Sequence, residues 1–222
     1  MRFDEAVRLL EVLPDVLPEP PEALIPVFAD TGSPRPRPTW GAADATSRPA
    51  AVLVLVFPDD EGIARLVLTE RVDRGGHHSG EVSFPGGSAE AGDEDLVATA
   101  LREAAEEVGL DVEAAGVRVL GQLDTQWIPV SNFTVTPVVA IAARRPALVP
   151  QPTEVAAILD PPLAAFLPDG DLRWVEREIR GWHLRYAAYP IEHLNVWGMT
   201  ARVLGGLGAW LARGDPADST RD

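Results

Sequence analysis

The 222-residue sequence predicts a layered α/β (α+β) domain, a mixed sheet held between helices. Three observations predict it. Short apolar, β-branched runs are joined by tight turns, which argues against a wholly parallel sheet. Two longer segments, 94–108 and 195–213, carry helical apolar periodicity. Hydrophobic residues make up 46% of the chain and charged residues 24%, enough to build the core of one sizeable domain.

From the N-terminus, residues 3–13 read as an amphipathic helix with Phe3, Val7, Leu10 and Leu13 on one face. Residues 14–49 are rich in proline, with Pro14, Pro18, Pro20, Pro21, Pro26, Pro34, Pro36 and Pro38 among them. Proline removes a backbone donor, so this segment reads as an irregular arm that either packs on the domain or makes contacts in a homodimer. The domain proper is expected over 50–213. AAVLVLVF (50–57) is a buried strand, and the turn at Asp59–Gly62 returns the chain as a second strand over 64–72. A glycine-rich loop with Gly75, Gly76 and Gly80 leads to EVSF and the turn Pro85-Gly86-Gly87. The helix at 94–108 follows, then strands over 117–124, 134–142 and 154–159, with a short helical piece at 163–167. RWVEREI and HLRYAAY form a hairpin, and Trp197, Ala201, Leu204, Gly208 and Leu211 line one face of the last helix. The tail 214–222 is polar and is expected to be disordered.

Composition excludes several functions. The net charge of −15 repels polyphosphate backbones, so nucleic acid is not an expected partner. A small anionic substrate is compatible with this charge if a metal ion neutralises it locally. There are no cysteines, hence no disulfides or thiolate metal sites. No apolar run approaches the roughly 18 residues of a membrane span, and the N-terminus lacks a signal-peptide pattern, so a cytoplasmic protein without membrane contact is expected.

The most informative segment is GGSAEAGDEDLVATALREAAEEVGL (86–110). On a helical wheel Val97, Leu101, Ala104 and Val108 form a stripe that should pack on the sheet. Glu103, Glu106 and Glu107 fall on roughly the opposite side, within about 100° of one another. Three neighbouring carboxylates repel one another unless a cation sits among them, and hard divalent ions take several such oxygens. The plain alternative is a solvated acidic face. The Pro-Gly-Gly turn before the helix, which lets backbone approach a ligand, favours the cation, as does Arg102, which can orient a carboxylate; Gly109 ends the helix.

This segment resembles the Nudix box, in which a glycine, five residues, a glutamate and seven residues precede R-E-U-x-E-E-x-G-U, U being aliphatic. Arg102, Glu103, Ala104, Glu106, Glu107, Gly109 and Leu110 match the second half. Counted from Gly87, the first acid is Asp93; counted back from Arg102, it is Glu94, with Ser88 at the glycine position. A one-residue insertion therefore lies in the loop. Upstream, LVLTERVDRGGHHSGEVSFPGG (66–87) is similar to the segment that marks coenzyme A pyrophosphatases within the Nudix superfamily. Leu68, Thr69, Arg71, Gly80, Phe84, Pro85, Gly86 and Gly87 fit; Val72 stands for a serine and Gly76 for a second arginine, with Arg74 two positions earlier. GQLDTQWIPVSNFTVTPVVA (121–140) and HLNVWGMTARVL (193–204) resemble the same branch, so the likeness runs from Ala50 to Leu211.

The resemblance implies a Nudix-like mixed sheet sandwiched between helices and metal-dependent cleavage of a pyrophosphate. The implied substrate is CoA or a CoA ester, giving 3′,5′-ADP and a 4′-phosphopantetheine. Mg²⁺ or Mn²⁺ is assigned to Glu103, Glu106 and Glu107, with the carbonyl of Gly86 or Gly87 as a further ligand. Arg102 orients an acid, and the base is either a helix glutamate or Glu154. Arg71, Arg74, His78, Phe84, Gly86 and Gly87 are the substrate-side residues, Arg71 being equally suited to an ion pair with a helix glutamate. Two other readings stand beside this one: a Nudix pyrophosphatase for NADH, nucleotide sugars or dinucleoside polyphosphates, and a non-catalytic nucleotide-binding sensor. The intact Glu103, Glu106 and Glu107 argue against the sensor.

Overall fold

The computed structural model describes residues 1–34, 46–72, 81–128, 131–179 and 181–214. Its elements in chain order are α1 (Phe3–Leu10), β1 (Val27–Phe28), β2 (Arg48–Pro58), β3 (Ala64–Leu66), β4 (Leu68–Arg71), β5 (Val82–Ser83), β6 (Gly86–Ser88), α2 (Leu96–Val108), α3 (Val112–Ala115), β7 (Val117–Gln122), β8 (Gln126–Ile128), β9 (Phe133–Ala142), β10 (Val155–Leu159), β11 (Arg173–Ile179), β12 (Trp182–Ile191), β13 (Leu194–Val196) and α4 (Gly198–Leu211). Short 3-10 turns lie at Glu22–Leu24 and Leu163–Phe166.

β2 and β9 pair in parallel from Arg48 opposite Phe133 to Val56 opposite Ile141, and form the centre of the main sheet. β3 and β6 pair antiparallel to β2, and β7 and β8 antiparallel to β9, so the sheet is mixed, as expected. β2 is an unbroken apolar run because both of its faces are covered. Ala51, Leu53, Leu55 and Phe57 join Ala100, Ala104 and Val108 of α2 in one core. Val52, Val54 and Val56 join Ala6, Leu9 and Leu10 of α1 and Ala201, Leu204 and Leu207 of α4 in the other. A period of two along the strand thus feeds two helical layers. Two smaller sheets flank this unit, β10–β4–β5 and β1–β12–β11 with β13 on β12.

Several elements differ from the sequence expectation. The return strand breaks at Val67, whose N–H donates to the Leu55 carbonyl at 3.1 Å, so β3 stays with β2 while β4 leaves to pair β10. The acidic helix starts two residues late because Asp95 caps it, its carboxylate accepting the Ala98 N–H at 2.8 Å. The last helix starts at Gly198, since 194–196 pair with β12 instead. The proline-rich arm is not wholly irregular: Val27 and Phe28 pair with β12, and Phe28 stacks on Trp182. Leu24 is buried in the α4-side core. No helix among the described residues is long and apolar enough to cross a membrane.

The glycines of α4 explain how the arm and the 3-10 turn at Leu163–Phe166 come so close. A Cβ at Gly205 would meet Leu24, Pro21 and Tyr189; one at Gly206 would meet Leu17 and Pro18; one at Gly208 would fall on the Phe166 carbonyl. Gly208→Ala therefore destabilises the protein even though alanine favours helix by about 1 kcal/mol. We expect a fall in Tm of roughly 5 °C or more in thermal unfolding, whereas Gly92→Ala, which meets nothing within 4 Å, leaves Tm within about a degree.

Candidate active site

Strand β6 runs beside the acidic helix, and its hydrogen-bond alternation sets the site. Leu53 N–H donates to the Pro85 carbonyl at 2.8 Å and Ala89 N–H to the Pro49 carbonyl at 3.0 Å. By the alternation of an antiparallel ladder, Gly86 and Ser88 then turn their N–H and carbonyl groups away from β2, toward α2. Gly86 N–H donates to Glu107 Oε2 at 3.1 Å, and the Ser88 carbonyl accepts from Arg102 Nη2 at 2.9 Å. The same geometry directs the Gly86 carbonyl, rather than that of Gly87, at the helix. A Cβ at Gly86 would lie 2.6 Å from Val52 Cα, against fixed backbone, and one at Gly87 2.6 Å from the Glu103 carboxylate, which it would displace.

The three helix acids occupy unlike environments. Glu107 is only 2% exposed. The helical wheel set it opposite the apolar stripe, but the buried face is centred on Ala100 and Ala104, and position 107 lies seven and three residues beyond them. Burial pushes its carboxyl up to about 7. The Gly86 N–H and Arg71, whose Nη1 is 3.5 Å from Oε1, offset this only in part, and the Glu103 and Glu154 charges add to it. Glu103 is also raised by burial, against the pull of Arg102 and with the push of Glu106 and Glu154. Glu106 is solvent-facing.

Arg102 ties the helix to the preceding loop. Its Nε and Nη2 bond the two Asp93 oxygens at 2.9 and 3.0 Å, Nη1 bonds Glu103 at 2.9 Å and Glu106 at 3.2 Å, and Nη2 also reaches Ser88. Between the two candidates for the first acid, Asp93 is the one bonded to Arg102; Glu94 is exposed. Asp93 also accepts from the Glu90 N–H at 2.9 Å and the Thr99 hydroxyl at 2.8 Å. These partners, Arg102 foremost, hold its carboxyl well below the ordinary range.

The other sequence candidates are distributed as follows. Arg71 meets Glu107, as one of its two readings required. Glu154 is exposed at the start of β10, its carbonyl accepting the Val72 N–H at 2.9 Å, and its charge reaches both Glu103 and Glu107. Phe84 is fully buried in the α4-side core, so its side chain does not face a ligand: it anchors the turn from beneath. Arg74 and His78 lie outside the described residues.

Among the described residues no three acids stand close enough to enclose an ion as they lie; Glu106 is bonded to Arg102. The donor set nevertheless suits a hard divalent cation. Glu103, Glu107 and the Gly86 carbonyl offer only oxygen, and Glu107 is a buried carboxylate short of positive charge.

Asp93→Asn tests the clasp. The depressed carboxyl stabilises the fold above the ordinary aspartate pKa of 3.8, and this contribution fades as pH falls below it. Thermal unfolding across pH should show Asp93→Asn below wild type at pH 7, with the gap closing below about pH 4. A gap independent of pH would contradict the role given to the charge.

The NUDIX domain family matches this chain over residues 47–183, more than half of it. Nudix hydrolase 15, mitochondrial, of Arabidopsis thaliana is 40% identical over 161 residues, covering 70% of this chain and 55% of that protein. The chain thus spans about half the length of such plant relatives. The uncharacterized Nudix hydrolase NudL of Cronobacter sakazakii is 39% identical over 169 residues, covering 76% of this chain and 85% of that protein. Among solved structures, a Nudix hydrolase from M. smegmatis, RenU, is 27% identical with a TM-score of 0.45, covering 54% of this chain and 73% of that one. With the match spanning β2, the Pro-Gly-Gly turn and the acidic helix, the chain belongs to the Nudix hydrolase family.

Proposed function

We propose that the protein is a divalent-metal pyrophosphohydrolase acting on CoA or a CoA ester, with 3′,5′-ADP and a 4′-phosphopantetheine as products. The observation that carries the reading is the buried Glu107, held by the Gly86 N–H, on the same helix face as Glu103, with Gly87 packed against the Glu103 carboxylate. Nudix hydrolases generally use divalent metal ions. The sequence likeness of 66–87 and 193–204 to CoA pyrophosphatases supports the substrate.

Glu103 and Glu107 would hold Mg²⁺ or Mn²⁺, with the Gly86 carbonyl beside them and Glu106 joining on release from Arg102. When bound, the metal would neutralise anhydride oxygens and make a water more acidic. Arg102 keeps Glu103 in place through its bonds to Asp93 and Ser88. Arg71, half in solvent and only 3.5 Å from Glu107, can turn to a substrate phosphate once the metal takes its carboxylate. Glu154, exposed and electrostatically in touch with both buried acids, accepts the proton of water. Water oxygen joins one phosphorus, the bond from that phosphorus to the bridging oxygen breaks, and two phosphate monoesters leave.

The substitutions at Val72 and Gly76 favour a second reading in which NADH, a nucleotide sugar or a dinucleoside polyphosphate is the substrate. Mass spectrometry of products from CoA, NADH, ADP-ribose and diadenosine polyphosphates with Mg²⁺ or Mn²⁺ separates the two. We expect 3′,5′-ADP from CoA at the highest rate; faster turnover of another compound would transfer the assignment to it.

Glu107→Gln gives a paired check. Hydrolysis should fall by about 100-fold or more. The sign for stability is opposite. A carboxyl raised from 4.5 to about 7 weakens the metal-free fold as pH rises between those values. Metal-free Glu107→Gln should therefore unfold at a higher temperature than wild type at pH 8, and saturating Mg²⁺ should narrow the difference.

A further inference from the structure

Glu154 is exposed, yet the main chain on both sides of it is tied to the acid site. Upstream, Gln151 N–H donates to the Glu107 main-chain carbonyl at 2.8 Å, one of the carbonyls that the end of α2 leaves without a helical partner. The Gln151 carbonyl in turn accepts from the N–H groups of Glu154 at 2.9 Å and Val155 at 2.8 Å. This closes a tight turn over 151–154 with Pro152 at its second position, where the ring presets the backbone angle that the turn needs. Downstream, the Glu154 carbonyl accepts the Val72 N–H at 2.9 Å, and Val155 stands opposite Arg71, whose Nη1 is 3.5 Å from the Glu107 carboxylate. β10 is bulged between Val155 and Ala157, which loosens its hold on β4 just past Glu154. The turn supplies the hold that the ladder lacks there.

We propose that the 151–154 turn is a splint that fixes Glu154 to the end of the helix carrying Glu103 and Glu107, with Pro152 as its positioning residue. This rests on the reading of Glu154 as proton acceptor given above. The main-chain bonds run from Glu107 through Gln151 to Glu154, so the acceptor keeps its distance from Glu107 when either element shifts. A proton acceptor on a solvated turn gains most from such a tether, since misplacement by about 1 Å costs on the order of 100-fold in rate. Capping of the helix end does not by itself require the turn: Val149 N–H caps the Val108 carbonyl at 2.9 Å without one. A capping role and a positioning role differ in one respect, that only the second depends on the side chain at 154.

The test is a double-mutant cycle on the compound that the wild type turns over fastest. Pro152→Gly, which frees the turn, should lower kcat about fivefold with KM nearly retained, and Pro152→Ala should lose less. Insertion of one glycine after Thr153, which lengthens the tether and leaves the β10 ladder in place, should cost more, approaching the loss in Glu154→Gln. All of 151–154 is exposed, so thermal unfolding should place each variant within a few degrees of wild type. In the Glu154→Gln background, Pro152→Gly and the insertion should each cost less than about twofold. Equal losses with and without Glu154 would mean that the turn serves only the helix end, and unchanged kcat in both variants would mean that it positions nothing. Either result overturns the proposal and leaves the base assignment standing. Wild-type kcat in Glu154→Gln removes the base assignment, and the proposal with it. Should the insertion fail to fold, the Pro152→Gly cycle decides alone.

Discussion

The hydrogen bond from Gly86 N–H to Glu107 is the contact on which the site depends. It requires β6 to lie within bonding distance of α2, where a Cβ at 86 would strike the backbone of β2 and one at 87 would displace the Glu103 carboxylate. It also requires β2 to be buried on both faces, since the same strand holds β6 by its ladder and α2 by Ala51, Leu53 and Leu55. The position of the carboxylate is therefore decided by packing of the whole central sheet, not by the helix alone. In exchange the fold tolerates a buried acid whose charge is compensated only in part.

Arg102 solves a second problem in the same place. Acids at 93, 103 and 106 would repel one another, and its single planar fork satisfies all three together with the Ser88 carbonyl. The arginine is mostly shielded, with 22% of its side chain exposed, which strengthens these bonds relative to a solvent-facing pair. It makes the loop before the helix, the helix and β6 one rigid unit.

Much of this was legible in the sequence because it rests on local rules. The apolar run of β2, the acidic helix with Gly109 at its end, and the hairpin at 173–191 follow from periodicity and turn residues. What escaped depends on distant partners. A wheel whose stripe is Val97, Leu101, Ala104 and Val108 puts Glu107 on the outer face, but Val97 and Leu101 are only half-buried while Ala100 is fully buried, so the contact side is turned toward Glu107. The break at Val67 reflects competition between two strands for one segment. Asp93 and Glu94 were indistinguishable by counting, and only the reach of Arg102 separates them.

The family likeness begins at residue 47, but the α4-side core does not. Ala6, Leu9, Leu10 and Leu24 are buried in it, Trp210 donates to the Leu9 carbonyl at 3.1 Å, and Asp124 N–H bonds the Asp15 carbonyl at 3.1 Å. The boundary drawn by shared ancestry and the boundary drawn by cohesion are thus different lines. A chain that began at residue 47 would uncover part of the α4-side core around Leu204, Leu207 and Tyr189 and present a sticky apolar flank on the side away from the acids. The N-terminal segment is, in that sense, the lid of a core whose chemistry happens on the opposite wall.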